Sequence, residues 1–344
     1  MNEQRENRSY FAAANGYKGF RSNFDRIFSP LSLNKMFVIK GGPGTGKSTL
    51  MKKIATEFEK DATVTRIYCS SDPESLDGLI IEKNEKIIGI ADGTAPHVIE
   101  PTYPGAKEEI INLADGFDYH GLYEKNKEII TLAKQKKREF EKAYSALEVA
   151  GSIRKHITAF LIDNEDYSKA ECIARSLIVD ERTDVKSRKN DYFLISAFCK
   201  SGHVRLNNPI NKRILSVRGD NISEYILMSK LKEELNAKNC ILNIHYSPLS
   251  DELVEAIETE ECYYIVADKT HESFDSSTLI KTSEEYNKFR GMYLTLLEAA
   301  KKSFNEASIY HFELEKIYSQ KINFENNALI YKHISQEINY ILNK

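Results

Sequence analysis

Two rhythms of apolar residues alternate through the first hundred positions. Met36-Phe37-Val38-Ile39 is a short unbroken apolar run, the form of a buried strand. After a glycine-rich gap, Leu50, Met51, Ile54, Ala55 and Phe58 recur at helical spacing, with Lys52, Lys53, Glu57 and Lys60 between them. Val64 to Cys69 and Ile87 to Ala91 read as further strands. Strands alternating with helices predict an α/β core built on a parallel sheet. Residues 120–185 carry a long charged helix with Ile129, Ala133, Phe140, Tyr144 and Leu147 near one face. A polar break at Asp163-Asn164-Glu165-Asp166 precedes a second helix over Ser168 to Ile178. Residues 284–344 look alike, with Met292, Leu296, Ala299, Phe304 and Leu314 spaced through charged positions. Each pair of helices is expected to fold as a hairpin on its core.

The chain also matches itself. With an offset of 177 residues, Phe37-Val38-Ile39-Lys40 falls on Ile214-Leu215-Ser216-Val217, and Leu50-Met51 falls on Leu227-Met228. Ile54 falls on Leu231, Glu57 on Glu234, Val64 on Ile241, Ile67 on Ile244 and Ser70 on Ser247. One residue must then be dropped, and Ile90-Ala91-Asp92 matches Val266-Ala267-Asp268. Upstream, Tyr10-Phe11 resembles Tyr192-Phe193. Some forty-five positions need no gap, which reads as an old duplication.

The gap after the first strand carries the chemistry. Gly41-Gly42-Pro43-Gly44-Thr45-Gly46-Lys47-Ser48-Thr49 fits G-x-x-x-x-G-K-[ST] between a strand and a helix. Glycines let successive N–H groups turn inward toward phosphate, and the helix start adds the positive end of its dipole. Lys47 is expected at the β- and γ-phosphates, Ser48 at Mg²⁺ and Thr49 at the α-phosphate. Pro43 has no N–H to give and stiffens the loop. Asp92 ends the apolar strand Ile87 to Ala91 as a Walker B aspartate does, and is the expected Mg²⁺ partner beside Ser48. Gly93 follows where many ATPases place a glutamate, so the base must lie elsewhere. Asp72, in the loop SSDPESLDG, and His97, in DGTAPHVIEPTYPG, are the catalytic candidates, since loops at the carboxyl ends of strands line ligand crevices. In the second copy Glu224 replaces Lys47, Tyr225 replaces Ser48, and Asn221 replaces Gly44. A carboxylate there repels ATP, so only the first loop is expected to bind it.

The fold expected is therefore α/β, with two tandem P-loop NTPase-like parallel-sheet cores, each followed by a helical hairpin region. The divisions read are 1–119 for the first core, 120–190 for its helices, 191–283 for the degenerate core and 284–344 for the C-terminal helices.

Composition narrows the setting. Net charge is −3 over 344 residues, so no basic field calls for nucleic acid. The basic run Lys134, Lys136, Lys137, Arg138 reads as a solvated helix face. The polar N-terminus lacks an apolar signal core, and no apolar run is long enough for a membrane span. Five scattered cysteines without a C-x-x-C pair read as reduced thiols of a cytoplasmic protein.

The segments SYFAAANGYKGF, GGPGTGKSTLMKKIA, CSSDPESLDG and ADGTAPHVIEPTYPG resemble a bacterial family of duplicated P-loop ATP-binding proteins of unknown role. In that family the second half often keeps a glycine loop, whereas RGDNISEYIL stands here. The resemblance implies ATP binding and ATPase activity with adenine as the base. Three functions are open at this point. One is a Mg²⁺-dependent ATPase or ATP-driven switch whose helices transmit state to a protein or small-molecule partner. Another is a small-molecule or nucleotide kinase with its acceptor near Asp72 and His97, and a third is a non-catalytic ATP-binding scaffold.

Overall fold

The computed structural model describes residues 7–178, 192–267 and 270–344. The first part of the chain runs through β1 (Arg8–Phe11), β2 (Ala13–Gly16), β3 (Gly19–Ser22), the short α1 (Phe24–Ile27), β4 (Lys35–Lys40) and α2 (Lys47–Phe58). It continues through β5 (Thr63–Tyr68), β6 (Leu76–Lys83), β7 (Lys86–Asp92) and β8 (Glu108–Asn112). Helices α3 (Tyr119–Glu124), α4 (Asn126–His156) and α5 (Asn164–Leu177) follow. The polar break before α5 is a capping box, in which Asp163 and Asp166 each accept the other's backbone N–H. After the hairpin β9 (Ser196–Cys199) and β10 (Gly202–Arg205) come β11 (Arg213–Arg218), α6 (Ser223–Ala237), β12 (Asn243–Ser247), β13 (Ser250–Glu258), β14 (Cys262–Val266) and β15 (Ser273–Asp275). Two helices, α7 (Glu284–Ser319) and α8 (Glu325–Leu342), complete the order.

The fold is α/β, but the sheets are mixed and not parallel as expected. The first has the order β1-β5-β6-β7-β4-β8. β4 is parallel to β7 and β8, whereas β6 runs antiparallel to both β5 and β7. The cause is the length of the connections. Asn84 and Glu85 alone join β6 to β7, with φ of 52° and 61°, the left-handed pair that suits a two-residue hairpin. A parallel partner would need a crossover of a dozen residues or so. The second sheet, β12-β13-β14-β11-β15, repeats the run β5-β6-β7-β4-β8 of the first in order and in the sense of every pairing.

The helices depart from the expected hairpins. α4 lies antiparallel along α7: Phe140 and Tyr144 meet Phe304, and His156 meets Phe289. α5 packs on the second core, burying Ala170 and Ala174 beside Leu227 and Leu231 of α6. α8 packs on the first core, with Ile334, Ile338 and Leu342 in one cluster with Leu50, Ile54 and Phe58 of α2. Burying those three α8 side chains contributes on the order of 5 kcal/mol. Each sheet is thus covered by the helix that follows the other sheet in the chain. The apolar stripes of α5 and α8 are legible in sequence, but a stripe does not say which core it covers. The two hairpin regions also meet: Phe11 and Leu194 exchange backbone hydrogen bonds of 2.8 and 3.0 Å, and Asn15 Nδ2 donates to the Phe198 carbonyl at 2.9 Å. The division near residue 190 falls outside the described residues.

Candidate functional site

The loop from Gly41 to Ser48 joins β4 to α2 where the sheet's strands end. Gly44 and Gly46 take φ of 70° and 88°, which side chains resist. Thr45 is buried and its hydroxyl donates to the Gly42 carbonyl at 2.9 Å, closing the turn. Helix α2 begins at Lys47 with no side-chain cap, so its first N–H groups face the loop's interior. Lys47 Nζ donates to the Gly41 and Gly42 carbonyls at 2.9 and 2.8 Å and lies 3.6 Å from Asp92 Oδ2. Asp92 is buried, and its Oδ1 accepts from the Thr94 N–H at 2.9 Å and the Thr94 hydroxyl at 2.6 Å. Burial raises its pKa; Lys47 and Thr94 oppose that rise. Ser48 Oγ accepts from the Leu76 N–H at 2.9 Å, which ties α2 to the start of β6. Lys47, Ser48 and Asp92 are therefore brought together. Pro43 is half-buried in the loop, and Thr49 is exposed on the first turn of α2.

Asp72 and His97 are placed differently. Asp72 sits in the loop between β5 and β6, and its Oδ1 accepts from Lys200 Nζ at 2.9 Å. Lys200 stands in the turn after β9, so the second half reaches this loop. His97 is buried and stacked on Phe24, with ring centroids 4.1 Å apart. Its Nε2 lies 3.5 Å from Asp77 Oδ2, not beside the glycine loop. Asp77 in turn lies opposite Asp92, because β6 pairs with β7 in antiparallel register, Gly78 facing Ala91. The Asp77 charge is one of those that raise Asp92's pKa. Only the antiparallel strand, which the sequence reading missed, makes Asp77 a neighbour of Asp92.

The loop has a roof. A Cβ built on Gly44 would strike the Glu315 backbone, and one on Gly42 would touch Phe117 and Tyr318. Asn327 Nδ2 donates to the Thr45 carbonyl at 3.1 Å. Glu315 and Tyr318 belong to the last turns of α7, and Asn327 to the first turn of α8. The Glu315 carboxyl lies at the Gly44 N–H; burial raises its pKa, Asp72 adds to the rise, and Lys47 and that N–H oppose it. Nothing in the local sequence pattern flags these roof residues, since they lie far from the loop in the chain.

The second loop, Arg218 to Glu224, is filled from within. Both carboxylate oxygens of Glu224 accept from the Asn221 N–H, at 3.0 and 2.9 Å. Just before α6, Asp220 Oδ1 accepts from Ile222 and Ser223 N–H at 3.1 and 2.9 Å. Tyr286 donates to Asp220 Oδ2, and Arg290 Nε donates to the Asp220 carbonyl at 2.7 Å. Burial pulls the Asp220 pKa upward, but the Ser223 N–H and the Tyr286 hydroxyl hold it below the ordinary value. A Cβ on Gly219 would collide with Ser223, Ser276 and Glu224. Asp268, the counterpart of Asp92, lies outside the described residues.

Residues 21–172 match the family model described as Novel STAND NTPase 3. The matched segment contains the glycine loop, Asp72, Asp92 and His97, and it supports assignment to an NTPase family. It points to nucleoside-triphosphatase activity. No curated protein and no solved structure matches the chain. No helix among the described residues is long and apolar enough to cross a membrane.

Proposed function

We propose that the chain is a Mg²⁺-dependent ATP-binding switch with slow ATPase activity and one nucleotide site, the loop Gly41 to Thr49. In this reading the glycine-loop N–H groups and the α2 N-terminus hold the phosphates, and Lys47 lies along the β- and γ-oxygens. The supporting observation is the convergence of Lys47, Ser48 and Asp92 at a helix start whose N–H groups no side chain caps. The oxygen donors fit a hard divalent ion: Ser48 Oγ accepts a single backbone hydrogen bond, and Asp92 Oδ2 accepts no hydrogen bond among the described residues, with the Lys47 ammonium 3.6 Å away. Ser48 and Asp92 would hold Mg²⁺, which when bound neutralises charge on the phosphates. Asp72 lies on the loop beside Ser48 and serves the terminal phosphate's surroundings. His97 acts only through Asp77, whose carboxylate is the group best placed near Asp92 to orient water.

The repeated strand order, together with the 177-residue sequence offset, supports an internal duplication whose second copy has lost nucleotide binding. The contacts of Phe11 with Leu194 and of Asn15 with Phe198 join the two segments that the Tyr10-Phe11 and Tyr192-Phe193 match relates, which accords with this reading. The division into cores at 1–119 and 191–283, with helices at 120–190 and 284–344, belongs to this reading. The 36-residue α7 spans about 54 Å and carries Arg290 near one end and Glu315 near the other, so the state of the first loop is transmitted along it to a partner.

The test is a calorimetric titration of the full chain with ATP and Mg²⁺, followed by phosphate release without added acceptor. One equivalent bound, with slow release, is expected. Two equivalents, or none, overturn the single-site reading, and release that needs an acceptor favours the kinase.

A further inference from the structure

Lys136 does not share the setting of its neighbours in sequence. Lys134 and Lys137 are exposed, as a solvated helix face requires, but Lys136 is half-buried in the seam between α4 and α7. Its Nζ lies 3.4 Å from His311 Nδ1, and His311 Nε2 lies 3.6 Å from Glu315 Oε1. Glu315 is the roof residue at Gly44. An ammonium can only donate, so His311 Nδ1 accepts and its ring carries its proton on Nε2, facing Glu315. This neutral form agrees with a His311 pKa pushed down to about 4 by burial and by the Lys136 charge.

No carboxylate stands within ion-pair distance of Lys136 among the described residues. Burial lowers its pKa, Glu315 opposes this, and Lys47 adds repulsion. Lys47 and Lys136 both act on the Glu315 carboxyl, one from the glycine loop and the other from α4. Like charges gathered out of bulk water are unfavourable unless an anion lies between them.

We propose that Lys136 contacts the terminal phosphate of a bound nucleoside triphosphate and so sets preference for triphosphate over diphosphate. This rests on the reading of Gly41 to Ser48 as the phosphate loop. His311 aims the ammonium, and Glu315 balances it when no nucleotide is bound. A diphosphate held by the loop leaves Lys136 without a ligand. The α4–α7 pair is then engaged by ATP and released by ADP.

The experiment measures dissociation constants of Mg–ATP and Mg–ADP for the full-length wild type and for Lys136→Gln, Lys136→Arg and Lys134→Gln. Loss of one charge-assisted contact should weaken ATP binding by Lys136→Gln at least about tenfold, with ADP binding changed by less than about twofold. Lys136→Arg should keep most of the ATP affinity, and Lys134→Gln should alter neither constant. Equal weakening of ATP and ADP, or no change in either, overturns the proposal. A merely structural lysine would lower both affinities together, so the ratio of the two constants separates the cases. If Lys136→Gln does not fold, Lys136→Met keeps the apolar stem and is judged by the same ratio. A wild-type chain that binds neither nucleotide overturns the loop reading and this inference with it.

Discussion

Gly44 and Asn221 stand at the same turn of the two loops, with φ of 70° and 73°, and a glutamate carboxyl lies at the N–H of each. At Asn221 the glutamate is Glu224, three residues onward in the first turn of α6. It is part of the turn itself, brought to that N–H by the first turn of α6. At Gly44 the glutamate is Glu315, carried in by the far end of α7. It is held there by a separate element, not by the turn itself. An anion cradle closed by its own next residues becomes a fixed turn. In the proposed reading, one closed by a distant helix keeps its capacity for an outside anion and gains a means of reporting its arrival.

Removing the amine of the first loop and the carboxylate of the second gives the largest contrast. Lys47→Ala should weaken ATP binding by about a hundredfold or more, because it removes charge-assisted contacts to two phosphates. Glu224→Ala should leave ATP binding unchanged but lower unfolding stability by about 2 kcal/mol, the loss of charge-assisted hydrogen bonds from the Asn221 N–H to the buried carboxylate. Calorimetry and urea unfolding read the two effects, and equal losses of ATP affinity in both variants would erase the distinction between the loops. Next in size, Asp92→Asn should reduce metal-dependent phosphate release by about tenfold or more while changing ATP affinity by only a few-fold. Turnover equal to wild type would remove Asp92 from the metal's ligands.

Glu315→Ala frees the Gly44 N–H, so ATP and ADP should both bind about three- to fivefold tighter. Weaker binding of both would mean that Glu315 supports the cradle and does not compete for it. The smallest effect concerns pH. The folded His311 pKa of about 4 lies below its ordinary value of 6.5, so between those pH values the unfolded chain binds the extra proton and the folded chain does not. The stability that His311 contributes is therefore full above pH 6.5 and declines as pH falls toward 4. Thermal midpoints of wild type should drop more steeply across that window than those of His311→Gln, and identical slopes would dissociate His311 from the acid response.

Much of this was legible in the chain. The glycine loop, the strand ending in Asp92 and the self-match at 177 residues follow from local pattern, which records what each segment buries and where the backbone must turn. The sense of β6 did not emerge, although Asn84-Glu85 between two apolar runs is a hairpin signal. Taking β5 and β7 as successive parallel strands leaves Leu79-Ile80-Ile81 without a place, whereas in the structure they form the strand between them. Without that strand the neighbourhood of Asp77 and Asp92 stays hidden. The exchange of α5 and α8 between cores is not written in either helix, because both cores offer an apolar face of the same kind. In sequence Lys136 is indistinguishable from its solvated neighbours, and only the packing of α7 against α4 sets it apart.

The placement of α8 has a consequence during synthesis. A ribosome delivers β4, the glycine loop and α2 long before the helix that covers them, so the apolar face of α2 must wait, exposed or chaperoned, while the whole second sheet is made. A nascent chain halted after α5 should be prone to aggregate and poor at retaining nucleotide. Competence would then arrive only as the last turns of α8 emerge from the exit tunnel.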